Sequence, residues 1–246
     1  MLIQCHRHEP NSSHRMSHRM SQRPAPADLL TRRLLIAGAA VPLLYFGVQL
    51  VAAPFYPGYS FLARDASTLG SPGSRYPAIF NLGTIVTGVV TLVATSGFYR
   101  AFRYLRIPPA LTWTTAFALV GSAIGIINAG VHPLPDPRHT SGILSVLGMG
   151  LLLLPLLLPV ALWQVADLRS IRRYLVANLI VVAALIPVMS GLVERWSAMA
   201  GVELPGLQSL VNNYQGMLQR IAAIVVFVPI GITAAALARR LTTPPD

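Results

Sequence analysis

Four side chains in two polar segments could do chemistry together: Asp65, His132, Asp136 and His139. Two carboxylates and two imidazoles are a donor set suited to zinc and equally to general acid–base work. They form a candidate metal or acid–base site, although loop residues that merely face water would look the same. Other chemical signatures fail. There is no His-Glu-x-x-His, and no Walker or Rossmann glycine pattern. Val188-Met-Ser-Gly191 lacks the first glycine of a Gly-x-Ser-Gly nucleophile turn, and no histidine sits in an apolar run to serve that serine. The same absence argues against haem held between helices. The other four histidines, His6, His8, His14 and His18, lie in a polar N-terminal stretch, where a weak metal site and a solvated tail are both compatible. No catalytic residue and no cofactor is assigned.

The elements that must position these residues are set by composition. Of 246 residues, 54% are hydrophobic and 11% charged, with a mean hydropathy of +0.59. A soluble domain carries about 25% charged residues, so too few charges are present to clothe a soluble surface. Apolar runs of about 20 residues recur, each long enough to cross a hydrocarbon core of ~30 Å. The expected fold class is all-α, a polytopic transmembrane bundle of six spans: about 34–53, 78–98, 110–131, 142–165, 174–193 and 217–238. Residues 1–30 read as a disordered basic tail, with Ser13-His-Arg-Met16 repeated as Ser17-His-Arg-Met20. Met16 and Met20 are alternative starts. Residues 31–241 form the membrane domain and 242–246 a short tail.

The net charge of +11 comes entirely from arginine. The arginines gather at the ends of apolar runs, so topology explains them better than nucleic acid does. In a six-span chain fourteen of them fall on one side and five on the other. The positive-inside rule then places both termini in the cytoplasm. Thr31-Arg32-Arg33 reads as a cytoplasmic flank rather than an export signal, since no small-x-small cleavage site follows before Pro54. The location expected is a plasma membrane, most simply a bacterial inner membrane. The partner is the bilayer, with a small-molecule or lipid ligand and no nucleic acid. Oligomeric state is open. The lone Cys5 excludes an internal disulfide.

Between the first two spans lies a shaped loop, Tyr56-Pro-Gly-Tyr-Ser60 through Ser67-Thr-Leu-Gly-Ser-Pro-Gly-Ser74 to Asn81, dense in the residues that build turns. Asn81, Thr84, Thr91 and Thr95 share one face of the second span. Gly121-x-x-x-Gly125 with Ala129 gives the third a close-packing stripe, with Asn128 beside it. These are packing signals first and a polar ligand path second; on the second reading Asn81, Thr84, Thr91, Asn128 and Arg220 are candidate binding residues. Pro42, Pro155, Pro159, Pro187 and Pro229 fall inside spans, where each removes a backbone hydrogen bond. No inverted repeat of three plus three spans marks a transporter. Glu194 and Arg220 flank neighbouring spans at one interface and are expected to form a structural pair. An amphipathic stretch beginning at Pro205 leads into the last span.

The chain resembles the DUF998 family of bacterial integral membrane proteins of unknown function. The residues that carry the likeness are Tyr56-Pro-Gly-Tyr-Ser60, Ser67-x-Leu-Gly-x-Pro-Gly73, Phe80-Asn81, Gly130-x-x-Pro133-x-x-Asp136 with His139, and Gly216-x-Leu-Gln-Arg220. His132 departs from the aromatic expected before Pro133. The resemblance implies a six-helix bundle and no reaction. The leading functional expectation is binding or movement of a small molecule or lipid through the bundle. A membrane enzyme with an outward Asp/His site and a scaffold subunit are the alternatives.

Overall fold

The computed structural model describes residues 29–189, 192–199, 201 and 206–241. Among them every regular element is helical: α1 (Leu29–Ala52), α2 (Pro77–Tyr104), α3 (Pro109–Val131), α4 (Ile143–Gly148), α5 (Gly150–Ala161), α6 (Arg169–Met189), α7 (Leu192–Met199), α8 (Leu207–Asn213) and α9 (Gln215–Arg240). Five segments are long and apolar enough to cross a membrane: Leu29–Phe55, Pro77–Tyr104, Pro109–Val131, Ala166–Val188 and Gln215–Arg240. The chain is therefore an integral, multi-pass membrane protein. Its surface agrees with that reading, since Leu43 is 75% and Phe117 68% exposed on the flanks of the bundle. In a bilayer such side chains face lipid rather than water.

The helices pack as a ring in chain order. α1 lies on α2, α2 on α3, α3 on α4 and α5, α5 on α6, and α6 on α9, which returns to α1. Small residues set the spacing. A Cβ on Gly38 would stand 2.9 Å from Ala234 Cβ, and one on Gly231 would stand 2.6 Å from Pro42 Cγ, so α1 and α9 meet nearly backbone to backbone. Gly88 brings α2 onto Ala123 and Ile127 of α3 in the same way. The main core lies between these helices, with Leu35, Phe98, Phe102, Leu119, Leu158 and Leu237 among its members.

The fourth apolar run differs from the uninterrupted span expected over 142–165. It breaks at Met149 into α4 and α5, and Leu152 N–H donates to Met149 O at 2.9 Å across the joint. One local feature favours the break: Gly148 and Gly150 flank the joint, each a weak helix former. The Gly121/Gly125 stripe of α3 receives the broken segment: a Cβ on Gly121 would meet Leu147 O at 2.5 Å, and one on Gly125 would collide with Gly148 Cα. The expected close-packing stripe thus holds a discontinuous helix.

Pro229 shows how the bundle repairs such losses. It lies inside α9 and cannot bond Val225 O, four residues back. Asn178 of α6 donates its Nδ2–H to that carbonyl at 2.7 Å in a buried site. In a bilayer a freed carbonyl must find a partner within the protein. We therefore expect Asn178→Leu to lower stability by about 1–2 kcal/mol. On a Pro229→Ala background the loss should shrink, because residue 229 then supplies its own N–H. Unfolding in mixed micelles checks this, and equal losses on both backgrounds would refute it.

Candidate functional site beneath the loop cap

The segment between α1 and α2 is an ordered cap. Short 3₁₀ helices at Ala53–Phe55 and Ala66–Gly70 alternate with turns. Arg64 N–H bonds Ser60 O at 2.9 Å, and Arg75 N–H bonds Phe55 O at 2.9 Å, closing the loop on itself. Gly58 sits at φ +66, a backbone state that favours glycine. Gly73 is required for a different reason: a Cβ there would lie 2.6 Å from the Tyr56 hydroxyl. Ala52, Ala66, Leu69 and Phe80 form the buried centre of the cap, with Tyr56 and Tyr59 packed around it. Asn81 joins the cap to α2 by donating Nδ2–H to Gly70 O at 3.1 Å; its Oδ1 is buried without a partner.

The first turn and a half of α9 grips this cap. Arg220 Nη1 donates to Phe61 O at 2.8 Å, to Arg64 O at 3.0 Å and to Gly216 O at 2.7 Å. Its Nη2 donates to the Tyr59 hydroxyl, and the guanidinium lies over the Phe61 ring, 4.8 Å from its centroid. Tyr59 in turn donates its proton to Asp65 O at 3.1 Å. Burial raises the Tyr59 pKa against the opposing pull of Arg220, so the phenol keeps that proton at neutral pH. Gln219 Oε1 accepts from Ala66 N–H at 2.7 Å, Met217 N–H donates to Leu62 O at 2.9 Å, and Gln215 donates to Asp65 Oδ2 at 2.7 Å. Gly216 allows the approach, since a Cβ there would stand 2.7 Å from Arg64 N.

The loop after α3 is tied internally. Asp136 caps the 3₁₀ helix Pro137–His139 by accepting from Arg138 N–H at 2.9 Å, and it forms an ion pair with Arg138 at 2.7 Å. The Arg138 hydrogen bonds hold the Asp136 carboxyl well below the usual carboxylate range. His132 Nδ1 stands 3.4 Å from Asp136 Oδ2. Asn128 of α3 donates to Arg138 O at 2.8 Å, and His139 Nδ1 lies 2.8 Å from His132 O.

Between the two loops and the helices lies a cavity of about 280 Å³. Its polar lining comes from Tyr45, Ser67, Thr84, Ser122, His139 and Gln219. Its apolar wall includes Phe80, Ile126, Leu151 and Phe227, and Tyr45 stacks on Phe227 with ring centroids 4.1 Å apart. Of the candidate binding residues, Thr84 reaches this lining. Asn81, Asn128 and Arg220 instead fasten the loops around it. Thr91 is buried and donates to Thr87 O at 2.8 Å, within its own helix. The four candidate metal residues divide: His132, Asp136 and His139 share one loop, whereas Asp65 sits in the cap against Gln215. Among the described residues no group of three or more His, Cys, Asp or Glu is placed to hold a metal ion. The Glu194 side chain, and with it the expected Glu194–Arg220 pair, lies outside the described residues; every Arg220 hydrogen bond described above goes to a carbonyl or to Tyr59.

Sequence reasoning missed Tyr45, Ser122, Gln219 and Phe227 as lining residues. Ser122 and Gln219 lay within motifs singled out for other reasons, the glycine stripe and the Gly-x-Leu-Gln-Arg segment. The aromatic pair had no local signal. The clamp makes a direct prediction. Arg220→Lys replaces a planar fork by a point donor, and Gly216→Ala forces the cap away from α9. Each should destabilise the cap by about 2 kcal/mol or more and expose the Tyr56–Ala66 segment to limited proteolysis. Cleavage no faster than in the wild type would overturn the clamp.

No curated protein and no solved structure matches the chain. A family model does match, over residues 39–236, from within α1 to within α9 and including the cap and the cavity lining. The chain belongs to DUF998, a family described as proteins of unknown function.

Proposed function

We propose that this protein binds a small molecule or lipid in the cavity beneath the cap, as a non-enzymatic binding or translocating component of the membrane. The cavity itself carries the reading. It joins hydroxyl, imidazole and amide groups to aromatic and aliphatic walls, the mixture typical of ligand sites, and its size lies just below the ~300–1,000 Å³ range of such sites. The clamp from α9 supports the reading too, because it holds the loop roof in place over the space.

The same proposal includes topology. α4 and α5 together run from Ile143 to Ala161, about 28 Å at 1.5 Å per residue, close to one hydrocarbon thickness. They supply a sixth crossing as two half-helices. Both termini and the basic tail of residues 1–30 then lie in the cytoplasm of a bacterial inner membrane, and the cap faces outward. Fourteen of nineteen arginines fall on the cytoplasmic side. Cys5, the single cysteine, reports the first terminus. A membrane-impermeant maleimide should leave it unlabelled in intact cells and label it after permeabilisation. A Ser60→Cys variant should react in intact cells; the reverse pattern would invert the topology.

Native mass spectrometry of the gently purified chain tests the binding reading. Ala129 also lines the cavity, and the expected result is a co-purifying species that is lost in Ala129→Phe, whose larger side chain fills the space. A bare wild-type chain, or a bound species retained in the variant, would move the case to a scaffold role.

A further inference from the structure

The end of the bundle opposite the cap gathers arginines. Arg32 and Arg33 lie at the start of α1, Arg103 and Arg106 at the end of α2, and Arg169, Arg172 and Arg173 at the start of α6. Packing brings these ends together. Arg100 Nε donates to Thr31 Oγ1 at 2.9 Å, joining α2 to α1, and Ile107, Leu168 and Leu241 share one core cluster. Among the described residues the one carboxylate at this end is Asp167, and it is already paired with Arg240 at 2.9 Å.

The start of α6 is the least compensated part of that cluster. Its first turn holds no acidic residue. Arg169 and Arg173 stand four residues apart, a spacing at which like charges on a helix repel, and cations so placed also oppose the helix dipole. Arg172 is anchored nearby: its Nη1 donates to Trp163 O at 2.7 Å, and its guanidinium lies over the Trp163 ring, 4.8 Å from the centroid. Trp163 is exposed, as suits a ring at headgroup depth. Arg169 and Arg173 are exposed too and, among the described residues, neither has a hydrogen-bond or ion-pair partner. The spacing of Arg169, Arg173, Val176 and Ile180 puts them on one stripe of the helix. Val176 and Ile180 are exposed as well, Ile180 to 66%, within the hydrocarbon-length segment Ala166–Val188. The stripe thus passes from two unpaired cations to bare aliphatic side chains. A phospholipid has the same order, phosphate first and acyl chain beneath.

We infer that this stripe docks an anionic phospholipid, its phosphate on Arg169 and Arg173 and an acyl chain along Val176 and Ile180. A guanidinium fork matches phosphate oxygens, and the anion relieves the repulsion that the fold leaves in place. A zwitterionic lipid would bring a further cation to the cluster. The site is separate from the cavity, whose lining includes neither arginine.

The full chain, stripped of lipid in excess detergent, is mixed with equal amounts of dioleoylphosphatidylglycerol and dioleoylphosphatidylethanolamine. Native mass spectrometry then reads which lipid is retained. The expected result is a preference of roughly tenfold for the anionic lipid, falling to near parity in an Arg169→Gln/Arg173→Gln variant. An Arg32→Gln/Arg33→Gln variant loses the same charge at the same end but outside the stripe, and should keep the preference. Ala129→Phe, which alters only the cavity, should keep it too. All the exchanged arginines are exposed, and unchanged melting temperatures without lipid verify that both variants fold. Equal retention of the two lipids by the wild type would overturn the inference, as would a preference that survives in the Arg169→Gln/Arg173→Gln variant. A preference lost equally in both arginine variants would reduce the stripe to general charge and overturn it. Loss in Ala129→Phe would place the lipid in the cavity instead. A salt-sensitive dimer without lipid preference, broken by Arg169→Gln/Arg173→Gln, would assign the stripe to a second copy of the chain.

Discussion

The grip of α9 on the cap is the constraint from which the upper half of the structure follows. Arg220 lies at the start of a membrane helix, where an unsatisfied guanidinium is expensive. Its N–H groups meet Phe61 O, Arg64 O, Gly216 O and the Tyr59 hydroxyl. A planar fork can serve several carbonyls at fixed angles, which a lysine cannot. The same carbonyls belong to a proline- and glycine-rich loop that has few other places to put them. Each side serves the other: the two Nη groups bond loop carbonyls and Tyr59, while Nε is buried without a partner, and the loop gains an ordered conformation. With the loop held, the cavity has a roof.

A second principle governs the walls. Close helix approach is bought with glycine, and some sites of approach lie at a helix break or a proline. Gly121 and Gly125 face the α4/α5 joint, and Gly231 faces Pro42. At Pro229 the freed carbonyl of Val225 is answered by a side chain from the neighbouring helix, Asn178. The bundle can thus carry discontinuous helices without leaving polar backbone exposed to lipid.

The hydroxyl residues behave in two ways that look identical in sequence. Thr84, Thr87, Thr91 and Thr95 all return their proton to a carbonyl four residues back. Such bonding hides a hydroxyl within its own helix and makes it compatible with close packing. Thr84 alone among the four also lines the cavity. Its distinction comes from what stands opposite it, Gln219 and Phe227 of α9, more than 130 residues away in the chain.

The sequence by itself determined the class of the molecule, because hydrocarbon-length apolar runs with so few charges have one stable environment. It also located the cap, since Pro, Gly and Ser at that density cannot continue a helix, and it identified Gly216-x-Leu-Gln-Arg220 as a segment with a role. The fold's family was legible from these same motifs. What only the tertiary structure decided was partnership. The described bonds of Arg220 run to loop carbonyls and Tyr59, and a loop carbonyl carries no sequence signature. The segment broken at Met149 packs onto a glycine stripe from another helix. The cavity residues Tyr45, Ser122 and Phe227 become a site only when α1, α3 and α9 converge. Local physics dictates which segments are helix or turn, whereas the polarity of a cavity depends on which proton each side chain has already given to a neighbour, and that is a property of packing.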